Sequence, residues 1–426
     1  MNPPQVREAI QAVWRIESAR IIAALARMLR DVGLAEELAQ DALVTALERW
    51  PESGVPENPG AWLMSTAKNG AIDVIRRSKR AEQKHEQLGF ALELGRADQV
   101  AALETKIDDD LGDDVLRLIF TACHPVLSAE ARVALTLRLL GGLTTDEIAR
   151  AFLVPEPTIA QRIVRAKRTL TEERVPFEVP RGEERAARLA SVLEVIYLIF
   201  NEGYSATAGD DWMRPGLCED ALRLGRVLSA LSESEPEVHG LVALMEIQAS
   251  RTAARSGPDG EPILLLEQNR ARWDHLLIQR GLAALARAEQ LGGAGGPYAL
   301  QAAIAACHAR AHRAEDTDWA RIAVLYYALA QRTPSPIVEL NRAVAVAMAF
   351  GPATALPIVE ALESEAVLSG YSPLFSVHGD LLAKLQRFPD ARLKFERAAA
   401  LTRNTKERDL ALTRAASCAR GVPPAR

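Results

Sequence analysis

The stretch Thr144 to Leu170 reads TTDEIARAFLVPEPTIAQRIVRAKRTL. It predicts two helices joined by a short turn. Thr144-Thr145-Asp146-Glu147 has the form of a capping box, in which a threonine hydroxyl accepts from an orphan N–H and Glu147 reaches back. Ile148, Ala149 and Phe152 form an apolar face on the first helix. Leu153-Val154-Pro155 ends it, because the residue before a proline is pushed out of the α region. Pro157 is tolerated in the first turn of the second helix. There Ile159, Ile163, Ala166 and Leu170 recur at helical spacing and face inward. Thr158, Gln161, Arg162, Arg165 and Arg168 share the other side. A stripe of amide, hydroxyl and guanidinium groups suits a DNA major groove, where Arg and Gln pair with base edges and Lys167 or Arg168 meets phosphate. An ordinary helical hairpin with a solvated basic face would show the same stripe.

Outward from this motif, the chain divides into several parts. Its 426 residues suggest two or three domains, and 48% hydrophobic with 25% charged residues is a globular composition. No run approaches the apolar length of a transmembrane helix, and MNPPQVREAIQAVWR lacks the regions of a signal peptide. A net charge of −5 argues against non-specific coating of nucleic acid. Cys123, Cys218, Cys307 and Cys418 form no CxxC pair, so they read as buried thiols of a reducing cytoplasm. Cys123-His124 reads as a core helix end. Neither a metal nor a cofactor is expected.

The first helix is expected over Val6 to Arg30 and is broken by Gly33. A second follows over Leu34 to Trp50, with Leu38, Ala42 and Leu47 inward and Glu36, Glu37 and Asp41 outward. Pro51 to Pro59 reads as a loop. Gly60 to Arg80 reads as a third helix, burying Trp62, Leu63, Ala67, Ala71, Val74 and Ile75 and ending in basic residues. Ala81 to Gly112 is a linker with an acidic tip, Asp108 to Asp110. Asp113 and Asp114 are placed to cap the next helix. Two helices broken at His124-Pro125 then support the helix-turn-helix.

The order of these parts resembles an alternative bacterial sigma factor of the extracytoplasmic-function class. EELAQDALVTALERW resembles that class's helix for the polymerase β′ clamp. AKNGAIDVIRR resembles its −10 reader, and LTTDEIARAFLVPEPTIAQRIVRAKR its −35 reader. The resemblance implies a sigma-2 domain (1–80), a linker (81–112) and a sigma-4 domain (113–175). It implies that Glu37, Gln40 and Asp41 meet core RNA polymerase, with the β flap as a second contact. Asn69 would hold a flipped base, walled by Ser53 to Asn58. Lys68, Asp73, Arg76, Arg77 and Arg80 would complete the −10 surface. Ala160 stands where many members carry a basic residue.

The remainder, 183–420, reads as helix after helix, so the whole chain is expected to be all-α. LASVLEVIYLIF is strongly apolar, and Asn201-Glu-Gly-Tyr-Ser-Ala after it reads as a tight turn. Ala343, Ala355 and Leu362 stand in the same relation as Gly379, Ala391 and Ala398, with Phe388 and Phe395 completing the second copy. This is the tetratricopeptide pattern of small residues and aromatics, with a period of about 34 residues. The second half resembles a group of these sigma factors with a tetratricopeptide-like C-terminal α-solenoid. Asp259-Gly260-Glu261-Pro262 stands where that group has a DGGR stretch. Glu202, Asp210, Asp211, Asp220, His308 and Asp318 lack any catalytic motif, so no enzyme is expected. Asn201, Glu202, Tyr204, Arg270, Arg272 and Trp273 are candidates for an interface, internal caps or buried anchors.

The expectation is therefore a cytoplasmic sigma factor that binds core polymerase and promoter DNA. The extension would act by intramolecular contact, without a separate anti-sigma factor or a membrane. The competing expectation is a one-component regulator whose solenoid senses a ligand or peptide.

Overall fold

The structure is a computed structural model and describes residues 3–86, 111–206, 213–257 and 261–423. The expected acidic tip Asp108 to Asp110 lies outside the described residues, as do Asp210, Asp211, Asp259 and Gly260 and the side chain of Arg80. The fold is all-α. Contacts divide it into two compact units, Met1–Ile196 and Tyr197–Arg426. Among the described residues, no helix is long and apolar enough to cross a membrane.

The first unit begins with three helices, α1 (Pro3–Leu29), α2 (Val32–Ser53) and α3 (Pro59–Glu86). Each packs on the other two. Asp31 starts α2 by accepting from Leu34 N–H at 3.0 Å, so Gly33 lies inside the helix rather than ending its predecessor. The expected loop from Pro51 starts later, because α2 continues through Pro51 to Ser53 and stops at Gly54, whose φ is +83°. Four more helices come next: α4 (Leu111–Ala122), α5 (Ala129–Leu139), α6 (Thr145–Phe152) and α7 (Glu156–Glu172). They do not stand apart from the first three. Helix α1 packs on α4 and α5, and α2 packs on α7. The shared core includes Ile21, Ile22, Leu25, Trp50, Leu63, Leu118, Phe120, Leu135 and Leu137, all fully buried. Gly142 is required for this approach. Its φ is +70°, and a Cβ there would come within 2.9 Å of Ser18 Oγ.

Helix α8 (Gly182–Tyr204) contributes its first half to the same unit. Arg188 donates to Phe120 O at 2.9 Å, and Ser191 donates to Cys123 O at 2.7 Å. The Asn201 to Tyr204 segment, expected as a turn, is the last turn of this helix. The apolar run before it carries the helical register onward, and the chain leaves the helix only at Ser205.

The second unit continues with α9 (Pro215–Leu231), α10 (Pro236–Ala249), α11 (His275–Gln290), α12 (Pro297–Arg310), α13 (Trp319–Arg332) and α14 (Pro336–Phe350). Helices α15 (Pro352–Leu362), α16 (Ser372–Lys384), α17 (Phe388–Leu401) and α18 (Thr405–Ala419) complete it. Most pack on their sequence neighbours, and α10 also packs on α12. The small residues of the expected repeat sit where helices approach closely: Ala343, Ala355, Gly379, Ala391 and Ala398 are all buried. A Cβ on Gly379 would stand 3.0 Å from the Phe395 ring, so that aromatic fills the space the glycine leaves.

Candidate nucleic-acid interface

The helix-turn-helix is built by local chemistry. Thr144 Oγ1 accepts from Glu147 N–H at 3.1 Å, and Thr144 N–H donates to Glu147 Oε2 at 2.8 Å. Burial raises the Glu147 pKa, but the Thr144 hydrogen bonds and the Arg15 charge outweigh it, so the carboxyl sits below its ordinary value. Leu153 takes the left-handed conformation at φ +51° to close α6, and its exposed side chain leaves the turn open to solvent. Pro155 precedes α7, with Pro157 in its first turn.

Helix α7 has the two faces its sequence implies. Ile159, Ile163, Ala166 and Leu170 are the buried residues. Thr158, Gln161, Arg165 and Arg168 are exposed, and Arg162 is half-buried. Val164, which sequence reasoning passed over, is 63% exposed beside this stripe. An apolar group there can meet a thymine methyl. Arg168 is held by Glu172, one helical turn on, at 2.6 Å. Lys167 is not part of the open stripe, because its ammonium contacts Glu36 of α2.

Glu36 is the main correction on α2. It was expected to face outward, but it is 3% exposed. Arg138 Nε lies 2.6 Å from Glu36 Oε1, Lys167 reaches Oε2, and Gln40 donates to Oε1. A buried carboxylate is tolerable only with such partners. Leu47 was expected inward and is 40% exposed. The buried face is instead Ala35, Ala39, Ala42, Ala46 and Trp50. Small side chains on that face let α1 and α3 approach closely, and they turn Leu47 out. Glu37, Asp41, Val44 and Leu47 are all exposed. Their spacing places them with Gln40 on one face of α2. This is an acidic stripe with two exposed apolar residues in it.

On α3, Asn69, Asp73, Arg76 and Arg77 are exposed and Lys68 is half-buried. Asn58 caps the helix: its Oδ1 accepts from Ala61 N–H at 3.1 Å. Ser53 hydroxyl donates to Arg49 O at 3.0 Å, which fixes the other end of the short loop. Asp114 lies in the first turn of α4. It is fully buried and pairs with Arg27 at 3.3 Å and Arg117 at 2.5 Å, tying α4 to α1.

Of the C-terminal candidates, Glu202 pairs with Arg214. Arg270 donates to the carbonyls of His308 and Ala311, each at 2.6 Å, at the end of α12. Trp273 is buried and Arg272 is exposed. Among the described residues, no group of His, Cys, Asp and Glu is arranged to hold a metal. The four cysteines are buried; burial pushes the Cys123 thiol up to about 11 and the Cys218 thiol up to about 12.

Residues 15–81 match sigma-70 region 2, and residues 117–170 match sigma-70 region 4. Residues 188–289 match a family of unknown function, DUF6596. The ECF RNA polymerase sigma factor SigK of Mycobacterium ulcerans is 28% identical over 168 residues, 38% of this chain and 84% of its own length. The probable ECF RNA polymerase sigma factor SigI of Mycobacterium tuberculosis is 25% identical over 185 residues, 43% of this chain and 62% of its own length. No solved structure matches the chain. The fold and these two regions support an extracytoplasmic-function-like sigma factor, a class of non-enzymatic initiation factors. The chain belongs to the family of the uncharacterized protein R00370 of Rhizobium meliloti, with 44% identity over 386 residues, 90% of each chain.

Proposed function

We propose that this chain joins core RNA polymerase in the cytoplasm, directs initiation at specific promoters, and is controlled by its C-terminal helical region. The observation that carries the reading is the open stripe of α7, Thr158, Gln161, Arg162, Arg165 and Arg168, mounted on a capped helix-turn-helix. The −35 element is read by this stripe, and the −10 element by Asn69 with Lys68, Asp73, Arg76, Arg77 and Arg80. Glu37, Gln40, Asp41, Val44 and Leu47 form the polymerase-facing stripe of α2.

This reading requires the first unit to open. Elements named −10 and −35 are roughly 25 base pairs apart, about 85 Å of duplex at 3.4 Å per base pair. Helices α3 and α7 both pack on α2. Packed helices lie about 8–10 Å apart, so the two readers are held within roughly 20 Å of each other at these contacts. Lys167 reaches a phosphate only after it leaves Glu36. Part of the C-terminal region, residues 188–289, matches the family of unknown function, and control by intramolecular contact is the role we assign to that region, without a separate anti-sigma protein. The tetratricopeptide-like group is the finer assignment, supported by the small residues around Phe395.

Run-off transcription with purified core polymerase tests the reading. The expected result is a promoter-specific transcript that appears only when both proteins are present. Tight promoter binding without polymerase, and no transcript with it, would overturn the proposal in favour of a one-component regulator.

A further inference from the structure

Arg251 lies just beyond α10 in the second unit. Its guanidinium carbon stands 5.7 Å from the Tyr204 ring centroid and 5.9 Å from the Trp273 ring centroid. Its Nε is buried without a hydrogen-bond partner, and its side chain enters no ion pair among the described residues. Two further guanidinium groups share the same rings. Arg255 lies 3.4 Å from the Tyr204 centroid and donates to Tyr204 O, while Arg270 lies 4.9 Å from the Trp273 centroid. Two aromatic faces thus carry three cations.

Arg270 already gives its terminal nitrogens to the carbonyls of His308 and Ala311 and to Thr317 Oγ1, while other buried donors beside it stand unpaired. Trp273 is 4% exposed, and its indole Nε1 is buried without a partner. His308 is 8% exposed, with Nδ1 likewise unpartnered. Burial, reinforced by the Arg251 and Arg270 charges, pushes the His308 pKa down to about 3, so the ring is neutral at physiological pH and its proton can sit on either nitrogen. Glu315 and Asp316 are exposed, and their charge reaches Arg270 without an ion pair. Each cation–π contact contributes only about 0.5–2 kcal/mol. Like charges in a low-dielectric site oppose one another. Planar guanidinium forks stacked on rings, beside buried N–H groups, are the chemistry that recognises oxyanions.

We propose that Arg251, held between Tyr204 and Trp273 and flanked by Arg255, Arg270 and His308, is the principal donor of a binding site for a small oxyanion, a carboxylate or a phosphate. Both ring centroids lie within 6 Å of the Arg251 guanidinium carbon. The occupant is a small ligand because Arg255, Trp273 and His308 are buried and Arg251 and Arg270 are half-buried. Tyr204, Arg251, Arg255, Arg270 and Trp273 all fall within the matched family of unknown function, which the proposal supplies with a ligand class. The site does not depend on the promoter reading above.

The test uses the full chain titrated with acetate, malonate and inorganic phosphate, each against sodium chloride at equal ionic strength. Melting temperature and tryptophan fluorescence are monitored. The expected result is a saturable rise in melting temperature with at least one oxyanion, and a fluorescence change that Trp273→Phe removes. Arg251→Gln should weaken that binding at least tenfold. Arg251→Lys keeps the charge but loses the fork, so it should weaken binding in a variant that still melts cooperatively. A carboxylate-only or phosphate-only response supports the proposal and names the ligand's head group. Identical curves for chloride and all three oxyanions, or wild-type affinity in a folded Arg251 variant, would overturn it.

Discussion

Lys167 of α7 makes its ion pair with Glu36 of α2, across two parts of the chain more than a hundred residues apart. Arg138 secures the same carboxylate at 2.6 Å. The buried charge therefore acts as a clasp within the first unit. Replacing it by Gln leaves two cations facing a neutral amide. Removing one partner of a buried pair typically costs about 3–5 kcal/mol. Glu36→Gln is expected to lower the stability of the first unit and to raise its affinity for core polymerase. Denaturant melts and polymerase titrations measure the two effects. Unchanged values in both would show that the pair holds nothing closed.

Arg162→Ala and Arg165→Ala are expected to reduce use of particular −35 sequences. A good bidentate base contact is worth about 1–3 kcal/mol of discrimination. Arg168→Ala should act more weakly, because Glu172 already holds that guanidinium. Transcription from a set of −35 variants separates base reading from phosphate contact, since phosphate contacts weaken all sequences alike.

Asn69→Ala should impair strand opening more than initial promoter binding. Its exposed amide is free to pair with an extruded base, and extrusion itself costs a few kcal/mol. Permanganate reactivity of the melted region reports opening directly. Equal reactivity in wild type and variant would remove Asn69 from the pocket.

Acid should destabilise the second unit through His308. Its pKa is depressed in the folded chain, so the unfolded chain binds the proton first. The stability contribution is complete above the ordinary histidine value and is lost as pH falls from about 6.5 towards about 3, by at most about 1.4 kcal/mol per pH unit. His308→Gln should show a shallower loss over that window in urea melts taken from pH 7 to pH 4. A slope equal to wild type would mean that His308 accepts its proton in the folded state.

Features set by local chemistry were legible in the sequence. The Thr144 cap, the proline-punctuated turn and the four inward residues of α7 all depend on neighbours within a few positions. Glu36 was misread because an isolated carboxylate next to Glu37 looks solvated, and its partners lie at positions 138 and 167. The alanine stripe of α2 carried the missing signal. Four alanines at helical spacing mark a close-packed face, and a residue beside that face is drawn inward. Tyr204, Arg270 and Trp273 were visible as unusual residues, but Arg251, which lies between the two rings, was not. A lone arginine after a helix carries no mark of the rings that distant segments bring to it. The continuation of α8 through Tyr204 was missed because Asn and Gly were read as a stop, while the apolar register before them favoured another turn of helix.

The bonds of Arg188 and Ser191 to the carbonyls of Phe120 and Cys123 bear on deletion mapping. A stop codon placed at the apparent junction, before Gly182, removes these residues from the first unit along with the whole second unit. Inactivity of such a clone would report damage to the first unit itself, and could not be credited to a missing activator. Only lesions that spare the chain through Ile196 can assign a duty to the helices of the second unit.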